Sequence, residues 1–400
     1  MTLGQSYFLT SLPHAALFAS AALSGARTLA GSEADALALD FTDNSAYVID
    51  TTTPANNYDS TASGLLTYTS PSAKIIRVSG GLLASASTIR TEYDSDGTTP
   101  LGVRVEEART ELCLWNSDLT NAAWTASNIT PVKTATGPDG VANSATTLTA
   151  TAGNGTVLQS ITSGSAARIT SCWIKRRTGS GTINLTMDNG GTWTAVTVTS
   201  SWTMVEVPSA TAANPVVGLR IVTSGDAVDV ANFSNQVGAF VTSPIATTSA
   251  TVARAADNIS LATSAFPNDS NGPITWFAKV YNVLGSRIVG MEVSEGPLMR
   301  NNNTQVLAYQ DPDAFVAIAG SGGFAGSVAK VAFSTDGTTG YLCFNAGSVG
   351  SSSFPYSMVG PTMRLGSEGG TSNFMNGHFQ QLLMIPRQES GAELQTRTTL

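Results

Sequence analysis

The chain has 400 residues, of which 42% are hydrophobic and only 12% are charged, and its formal net charge is -8 at pH 7. This acidic balance provides no basic face for neutralising phosphates, so we expect no binding to DNA or RNA. The 38 glycines suit short strands joined by tight turns, because glycine adopts positive φ at little steric cost.

The first segment, residues 1–35, contains an apolar, alanine-rich run that ends before Arg27. A secretory signal peptide needs a positive charge ahead of such a run, and none precedes it here. Pro13 and His14 interrupt the run, which is too short to span a bilayer, so we expect no membrane span. We predict a short helix over residues 14–24 that docks onto another protein. A helix that packs on its own domain is the alternative.

Short alternating runs follow from Ala36 to Leu101, separated by turn signals such as "DSDGTTP". Alternation of apolar and polar residues predicts strands, and the Gly, Asp and Pro between them predict hairpin turns. We expect a β-rich module over 36–108. Residues 109–254 carry further strands at intervals of about 8 to 12 residues, which is typical of a sandwich or jelly roll.

A second β pattern occupies residues 255–400, after a polar stretch rich in Ala and Thr. We expect a second β-sandwich there, closed by a short C-terminal helix. Ser390 lies three residues before Glu393, the spacing at which these two residue types cap the first turn of a helix. The predicted fold class is therefore mostly β, with tandem β-sandwiches behind a short helical docking segment.

The stretch "GVRVEEART" joins the two kinds of strand pattern. Its two valines alternate towards a core, so Arg104 and Glu106 are expected to face solvent. Glu107 and Arg109 continue the inward parity of the valines. We predict that these two side chains pair with each other at a domain junction.

The segment "PLGVRVEEARTELCLWNSDLTNAAWT", with "GPDGVANSATTLTAT" behind it, resembles a module of tailed-phage and prophage virion proteins that leads into a jelly roll like that of carbohydrate-binding modules. The C-terminal motifs "ITWFAKV", "MRLGS", "NFMNGHFQQLLMIPR" and "AELQTRT" are similar to a concanavalin A/laminin-G-like domain of the same proteins. The two resemblances together cover about residues 98–400.

The resemblance implies a structural protein of a head fibre, head spike or tail fibre, made in the host bacterial cytoplasm and displayed on the virion surface. Its partners would be other virion proteins, reached through the N-terminal segment, and host-surface polysaccharide. We also expect a homo-oligomer, because linked weak sites gain avidity. One alternative is a capsid or tail decoration protein without glycan binding. Another is the accessory carbohydrate-binding region of a glycan-degrading enzyme.

Residues for catalysis are few. The two histidines are His14 and His378, and neither lies in a motif for nucleophilic or metal-assisted hydrolysis. Glu106 and Glu107 are neighbours on one strand, so their side chains point to opposite faces and cannot flank one glycosidic bond. We expect no enzyme, no catalytic residue and no cofactor.

Two acidic turns have oxygen ligands at a spacing that Ca²⁺ can use, Asp94 with Asp96 and Asp311 with Asp313. Asx turns explain both pairs without a metal. A bound Ca²⁺ is the alternative to a metal-free turn at both pairs.

The cysteines and the basic cluster have plain structural interpretations. Cys113, Cys172 and Cys343 are odd in number and lack CxxC spacing, so we expect buried free thiols and no disulfide framework. Residues 175–177 are Lys-Arg-Arg, which we interpret as a solvated hairpin edge and not as a phosphate site.

Glycan binding would use aromatic rings for stacking, with amides and carboxylates bonding to sugar hydroxyls. Trp193, in the turn-rich "MDNGGTWTAV" beside Asp188 and Asn189, is the first surface candidate. Trp124 with Asn121 is the second. A turn tryptophan without a ligand is the alternative for both. The tryptophans in alternating strand sequence are expected to pack in the core: Trp173, Trp202 and Trp276.

Overall fold

The computed structural model describes residues 29–30, 33, 36–49, 58–61, 66–69, 72–262, 272–281, 284, 287–291, 298–301, 305–310, 314–319, 326–355, 362–367 and 373–399. The mostly-β prediction is confirmed, because antiparallel strands build two β-sandwiches. The predicted helix over 14–24 lies outside the described residues.

The strands fall into three groups along the chain. The first group is β1 (Ala36–Asp40), β2 (Ser45–Ile49), β3 (Tyr58–Thr61), β4 (Thr67–Thr69), β5 (Lys74–Arg77), β6 (Leu83–Ala86), β7 (Thr91–Tyr93) and β8 (Pro100–Val105). The second group is β9 (Arg109–Glu111), β10 (Thr125–Ser127), β11 (Ile129–Ala135), β12 (Ala145–Ala150), β13 (Gly155–Ser160), β14 (Ala166–Thr178), β15 (Ile183–Thr186), β16 (Thr194–Val196), β17 (Thr203–Ala212), β18 (Val216–Ile221), β19 (Ala227–Val237) and β20 (Val252–Arg254). The third group is β21 (Asn258–Ala262), β22 (Ile274–Tyr281), β23 (Arg287–Met291), β24 (Leu298–Asn301), β25 (Gln305–Gln310), β26 (Ala314–Ala319), β27 (Val328–Thr335), β28 (Thr339–Phe344), β29 (Val349–Ser353), β30 (Thr362–Leu365) and β31 (Gly377–Ile385), followed by helix α1 (Gly391–Thr399).

The second group forms the jelly roll from two five-stranded antiparallel sheets, in the orders β10-β13-β18-β15-β16 and β11-β12-β19-β14-β17. Alternation decides which residues fill the space between the sheets. On β18, for example, Val217, Leu219 and Ile221 are fully buried in the core. The same alternation leaves Gly218 and Arg220 on the outer face of that sheet.

The first and third groups together form the second sandwich. Its larger sheet runs β29-β28-β27-β22-β31-β1-β2-β3, with β8 also paired to β31 and β7 paired to β8. The facing sheet runs β26-β25-β24-β23-β30-β21-β4. Trp276 is fully buried in this core and meets Phe333 edge-on, with ring centroids 6.4 Å apart, as its alternating sequence predicts.

The jelly roll is inserted into this second sandwich. Leu37 on β1 pairs with Met384 on β31, and Tyr68 on β4 pairs with Ile259 on β21. The separate β-rich module expected over 36–108 is therefore corrected, since β1 to β4, β7 and β8 belong to the two sheets of the C-terminal sandwich, and only β5 and β6 pair with each other as a hairpin outside them. Alternation identifies a strand but carries no information about its partner, and these partners lie far away along the chain.

A two-stranded ribbon joins the sandwiches, because β9 leads into the jelly roll and β20 leads out of it as antiparallel neighbours. The predicted pairing of Glu107 with Arg109 is confirmed, at 2.7 Å between Oε1 and Nη1. The expectation that Glu106 faces solvent is wrong, since Glu106 is 1% exposed. Strand β8 ends at Val105, so its alternation does not continue to Glu106.

Glu106 is the centre of a buried ion-pair network at this junction. Its Oε1 lies 2.7 Å from Nε of Arg104, and its Oε2 lies 2.7 Å from Nη1 of Arg254. The backbone N–H of Ser243 donates to Oε1 at 2.7 Å. Burial alone would raise the pKa of Glu106, but Arg104, Arg254 and Lys74 outweigh it and hold the pKa well below its usual range.

A second carboxylate extends the network. Asp257 accepts from Nζ of Lys74 at 2.7 Å, from the backbone N–H of Glu106 at 2.9 Å and from the hydroxyl of Tyr68 at 2.8 Å. Lys74 is on β5 and Asp257 follows the ribbon, so these contacts connect segments on both sides of the insertion. The junction is thus held by buried charges as well as by the two strands.

The β5–β6 hairpin adds an apolar contact between the two sandwiches. The Arg77 guanidinium lies over the ring of Trp173, 4.6 Å from its centroid, and Leu83 packs into the same cluster. Trp173 is buried, as predicted. Trp202 is half-buried at the edge of that cluster, with Nζ of Lys175 5.1 Å from its ring centroid.

The C-terminal helix and the cysteines agree with expectation. Ser390 donates its backbone N–H to Oε2 of Glu393 at 2.6 Å, and the backbone N–H of Glu393 donates back to Oγ of Ser390 at 3.4 Å, which is the reciprocal cap that the sequence predicts. The buried residues of α1 are Leu394 and Thr398. The three cysteines are free and buried.

Candidate functional site

The turn after β15 is built by its own polar residues. Oδ1 of Asp188 accepts from the backbone N–H of Thr192 at 2.8 Å and from the hydroxyl of Thr186 at 2.8 Å. The Thr192 bond is the main reason that the pKa of Asp188 lies below its usual value. Asn189 and Gly190 both have positive φ, at 61° and 81°. Asn and Gly are the residues that tolerate this conformation best.

This turn places Trp193 on the surface of the jelly roll. Its ring packs so closely on Gly190 that a Cβ there would lie 2.8 Å from Cζ2 of the indole. The Arg220 guanidinium of β18 lies over the ring, 4.5 Å from its centroid, which is a cation–π geometry. Trp193 is half-buried, so part of the ring stays open to solvent.

Arg220 belongs to a polar row that crosses the outer face of the β10-β13-β18-β15-β16 sheet. The strand pairing places Ser127 opposite Thr156, Thr156 opposite Arg220, Arg220 opposite Asn184, and Asn184 opposite Ala195. Oδ1 of Asn184 accepts from Nε and Nη2 of Arg220, at 3.3 and 3.1 Å. We call these five residues with Trp193 the outer-face row.

A cleft of about 400 Å³ opens beside the same turn, between the edge strands β16 and β17 of the two jelly-roll sheets. It is lined by Met187, Asp188, Thr192, Thr194, Val207, Pro208, Ser209, Ala210, Thr211 and Ala212. Asp188 and Asn189 are exposed, so the turn offers polar atoms near both the cleft and the outer-face row. The first sequence candidates, Trp193, Asp188 and Asn189, therefore share one turn on the surface.

The second candidate pair has a structural position instead. Trp124 is 5% exposed and meets Phe233 edge-on in the jelly-roll core, with centroids 5.1 Å apart. Its Nε1 donates to the carbonyl of Leu114 at 3.1 Å. Oδ1 of Asn121 accepts from the backbone N–H of Ala123 at 3.0 Å and so forms an Asx turn. Trp124 lacks the surface position that the sequence interpretation required, because its ring fills the core below that turn.

Each side chain of the basic cluster at 175–177 lies beside an aspartate of the jelly roll. Arg176 lies 3.3 Å from Asp226, while Lys175 and Arg177 lie 3.5 and 2.8 Å from Asp229. These carboxylates occupy the positive charges that a phosphate would need. The interpretation that this cluster is not a phosphate site agrees with that pairing.

The other sequence candidates lie away from the outer-face row. Oδ1 of Asp96 accepts from the backbone N–H and the hydroxyl of Thr98, which is the expected Asx turn, whereas Asp311 and Asp313 lie outside the described residues. Within the described ranges, no group of three or more His, Cys, Asp or Glu is placed to hold a metal ion. His378 is buried, with Nε2 2.8 Å from Oε2 of Glu92.

Sequence reasoning missed Arg220 and Asn184. The signal was present in "VVGLRIVT", because the parity that buries Val217, Leu219 and Ile221 turns Arg220 outwards. What the sequence could not supply is the neighbour of β18. The pairing with β15 brings Asn184 beside Arg220, and the turn after β15 brings Trp193 over it.

Comparisons with known proteins add little to this geometry. No protein-family model and no curated protein matches the chain. Among solved structures, a Trypanosoma rangeli sialidase in complex with the inhibitor DANA matches 36% of this chain and 26% of its own length, at 12% identity and a TM-score of 0.23. Mouse laminin alpha1 chain domains LG4-5 match 60% of this chain and 90% of their own length, at 9% identity and a TM-score of 0.23. No described helix is long and apolar enough to cross a membrane.

Proposed function

We propose that this chain is a non-enzymatic structural protein on the surface of a phage particle, where it attaches to a host-surface glycan through the outer-face row. The observation that carries the glycan proposal is the position of Trp193, on a rigid sheet face beside Arg220 and Asn184. The phage assignment rests on the resemblance of the EEART segment and the C-terminal motifs to virion proteins.

The outer-face row has dimensions and chemistry that suit an extended saccharide. Five strands about 4.8 Å apart give a row about 19 Å long. The hydroxyls of Ser127 and Thr156 and the Arg220 guanidinium can form hydrogen bonds with sugar hydroxyls. Asn184 is 5% exposed and holds Arg220 in place. The part of the Trp193 ring that Arg220 and Gly190 leave uncovered supplies an apolar surface for a pyranose. Such a combination of an aromatic anchor and a few fixed polar groups is typical of binding sites.

The neighbouring groups favour binding over hydrolysis. Asp188 is the carboxylate nearest in sequence to Trp193, and it is engaged by Thr186 and Thr192 in the turn. His378 is buried in the other sandwich against Glu92. Glycosidase chemistry requires two carboxylates that flank one bond at a defined separation, and the proposal assigns the row a binding role only.

Replacing Trp193 with alanine is expected to weaken binding to purified host-cell surface polysaccharide by on the order of 1–3 kcal/mol, as loss of one aromatic anchor does. Binding at low salt can be measured by affinity electrophoresis or calorimetry. Trp202→Ala is the matched control, because Trp202 is also half-buried but lies beside Lys175 on the other sheet. If wild type and Trp193→Ala bind equally well, the outer-face row is not the glycan-binding site. No binding by any of the three, with the protein still on particles, would favour the purely architectural role.

Deleting residues 1–28 is expected to leave a folded protein that no longer joins particles. The deletion spares Ala30, which is 2% exposed and packs in a cluster with Leu394. Circular dichroism would establish the fold, and immunodetection on particles purified from a lysate of the strain that carries the gene would establish incorporation. Normal incorporation of the shortened chain would mean that another surface mediates docking. If the full-length chain is absent from such particles, the virion assignment itself is contradicted.

A further inference from the structure

We propose that the outer-face row is specific for an acidic glycan, with the Arg220 guanidinium pairing to the carboxylate of a uronic or sialic acid residue. This inference rests on the proposed glycan function and adds the chemical class of the ligand. The observation behind it is that Arg220 is a half-exposed cation at the centre of the row whose polar contact is a neutral amide.

Arg220 differs in this respect from the other cations of the jelly roll's surface. Lys175, Arg176 and Arg177 each lie within 4 Å of an aspartate, and Lys133 lies 3.3 Å from Asp118. Among the described residues, no carboxylate lies within ion-pair distance of Arg220. A chain with a net charge of -8 has many carboxylates, so a cation without such a partner on an open sheet face is available to a ligand.

The contacts of Arg220 also fix its orientation. Its Cζ lies over the Trp193 ring, 4.5 Å from the centroid, and its Nε and Nη2 both donate to Oδ1 of Asn184. These two contacts hold the fork in one geometry before any ligand arrives, which reduces the entropy lost on binding. A planar carboxylate is the partner that the guanidinium fork matches by forming two parallel hydrogen bonds.

The surroundings favour a single carboxylate over a more highly charged anion. Arg220 is flanked along the row by Thr156 and Asn184, and neither adds a positive charge. The Thr156 hydroxyl suits a neutral hydroxyl of the same sugar, while the uncovered part of the Trp193 ring suits its apolar face. Asn184 is buried and acts by orienting Arg220. An acidic sugar thus satisfies all three kinds of group, whereas a neutral sugar would leave the charge of Arg220 without an opposite charge.

The test uses the full chain and three named acidic polymers: polygalacturonate, hyaluronate and polysialic acid. Each polymer is compared with its carboxyl-reduced form, which keeps the backbone but removes the charge, and dextran sulfate serves as a polyanion without carboxylates. Affinity electrophoresis at 0.15 M salt is the readout. We expect at least one acidic polymer to retard the protein, and its reduced form to bind roughly tenfold to a hundredfold more weakly, since a hydrogen bond to a charged group is lost.

Variants connect that preference to the residue. Arg220→Met, which keeps the apolar stem, should lose binding by the same factor, and Arg220→Lys should recover part of it. Arg387→Ala removes the same unit charge from a largely exposed side chain of the other sandwich, 44% exposed, and should bind like wild type. Unchanged thermal unfolding of Arg220→Met would show that its fold is intact.

The outcomes separate the two proposals. If the acidic and reduced polymers bind equally well, or if Arg220→Met binds like wild type, glycan binding stands and acidic specificity is overturned. If dextran sulfate binds as tightly as the best carboxylated polymer, the attraction is general to anions and the carboxylate assignment falls. If none of the polymers binds in either form, acidic specificity is overturned, and the glycan function is then decided by the measurement on host-cell surface polysaccharide.

Discussion

Replacing Glu106 with alanine is expected to lower the free energy of unfolding by about 3–5 kcal/mol, the usual loss when one partner of a buried ion pair is removed. The variant leaves Arg254, which is 2% exposed, without its carboxylate, and it removes a contact of Arg104. The backbone N–H of Ser243 also loses its acceptor. Arg254 and the Ser243 N–H would then be buried without these partners, which is the source of the large effect, whereas Arg104 keeps Glu92 at 3.5 Å.

The matched control is Lys133→Ala, which breaks an ion pair at the surface. Lys133 is 37% exposed and lies 3.3 Å from Asp118, so its loss should cost no more than about 1 kcal/mol. Urea titrations of the three proteins, followed by tryptophan fluorescence, give the comparison. A loss for Glu106→Ala as small as that for Lys133→Ala would mean that water enters the junction and that its charges are not desolvated.

The junction also shows how far the sequence could be read. The alternation that buries Val103 and Val105 was correct, and the pairing of Glu107 with Arg109 followed from their shared parity. The burial of Glu106 did not follow, because its partner Arg254 lies beyond the whole inserted jelly roll. Parity describes one strand at a time, whereas a buried charge depends on what the rest of the chain places against it.

The same limit explains the domain arrangement. Alternating runs located the strands of residues 36–108, yet a strand such as β1 carries no mark that its neighbour is β31. Insertion of one sandwich into another leaves no signal in local periodicity, since both flanking parts look like ordinary β sequence. The sequence therefore predicted domains made of contiguous segments, whereas in the fold segments that are distant along the chain share one sandwich.

The sequence predicted only the part of the candidate site that depends on a local turn. The turn-rich "MDNGGTWTAV" indicated a surface position for Trp193, and in the structure this turn has positive φ at Asn189 and Gly190. Trp124 follows a turn just as closely, but its ring enters the core. Which way a tryptophan points after a turn depends on the sheet beneath it, so Arg220 and Asn184 were found only through the strand pairing.

Glu111 gives the second large effect, a fall in stability of about 2.5 kcal/mol between pH 5 and pH 8 that Glu111→Gln should remove. Glu111 is fully buried, with Ser234 and Asn235 donating to it at 2.5 and 2.8 Å. Cys113 and Gln236 also donate to it, at 3.0 and 3.3 Å. Burial raises the pKa of Glu111, and because it outweighs these hydrogen bonds the pKa reaches about 7.

The sign follows from proton binding in the two states. The ordinary pKa of 4.5 applies to the unfolded chain, so between pH 4.5 and about 7 the native protein holds more protons at Glu111 than the unfolded chain does. The contribution of Glu111 to the free energy of unfolding is therefore fully present below pH 4.5. It declines as the pH rises and is lost above pH 7. Glu106 and Glu92, whose pKa values are lowered, act in the opposite direction and only below pH 4.5, so they do not disturb the window.

Urea unfolding of wild type and Glu111→Gln at pH 5, 6, 7 and 8 measures the effect. The quantity compared is the slope of the unfolding free energy with pH, because the amide may change the absolute stability through its altered hydrogen bonds with Asn235 and Cys113. All other ionisable groups are common to the two proteins, so the difference between the two slopes belongs to Glu111. Parallel slopes would show that the hydrogen bonds to Glu111 keep it ionised, and that the carboxylate is a permanent buried charge at the entrance of the jelly roll.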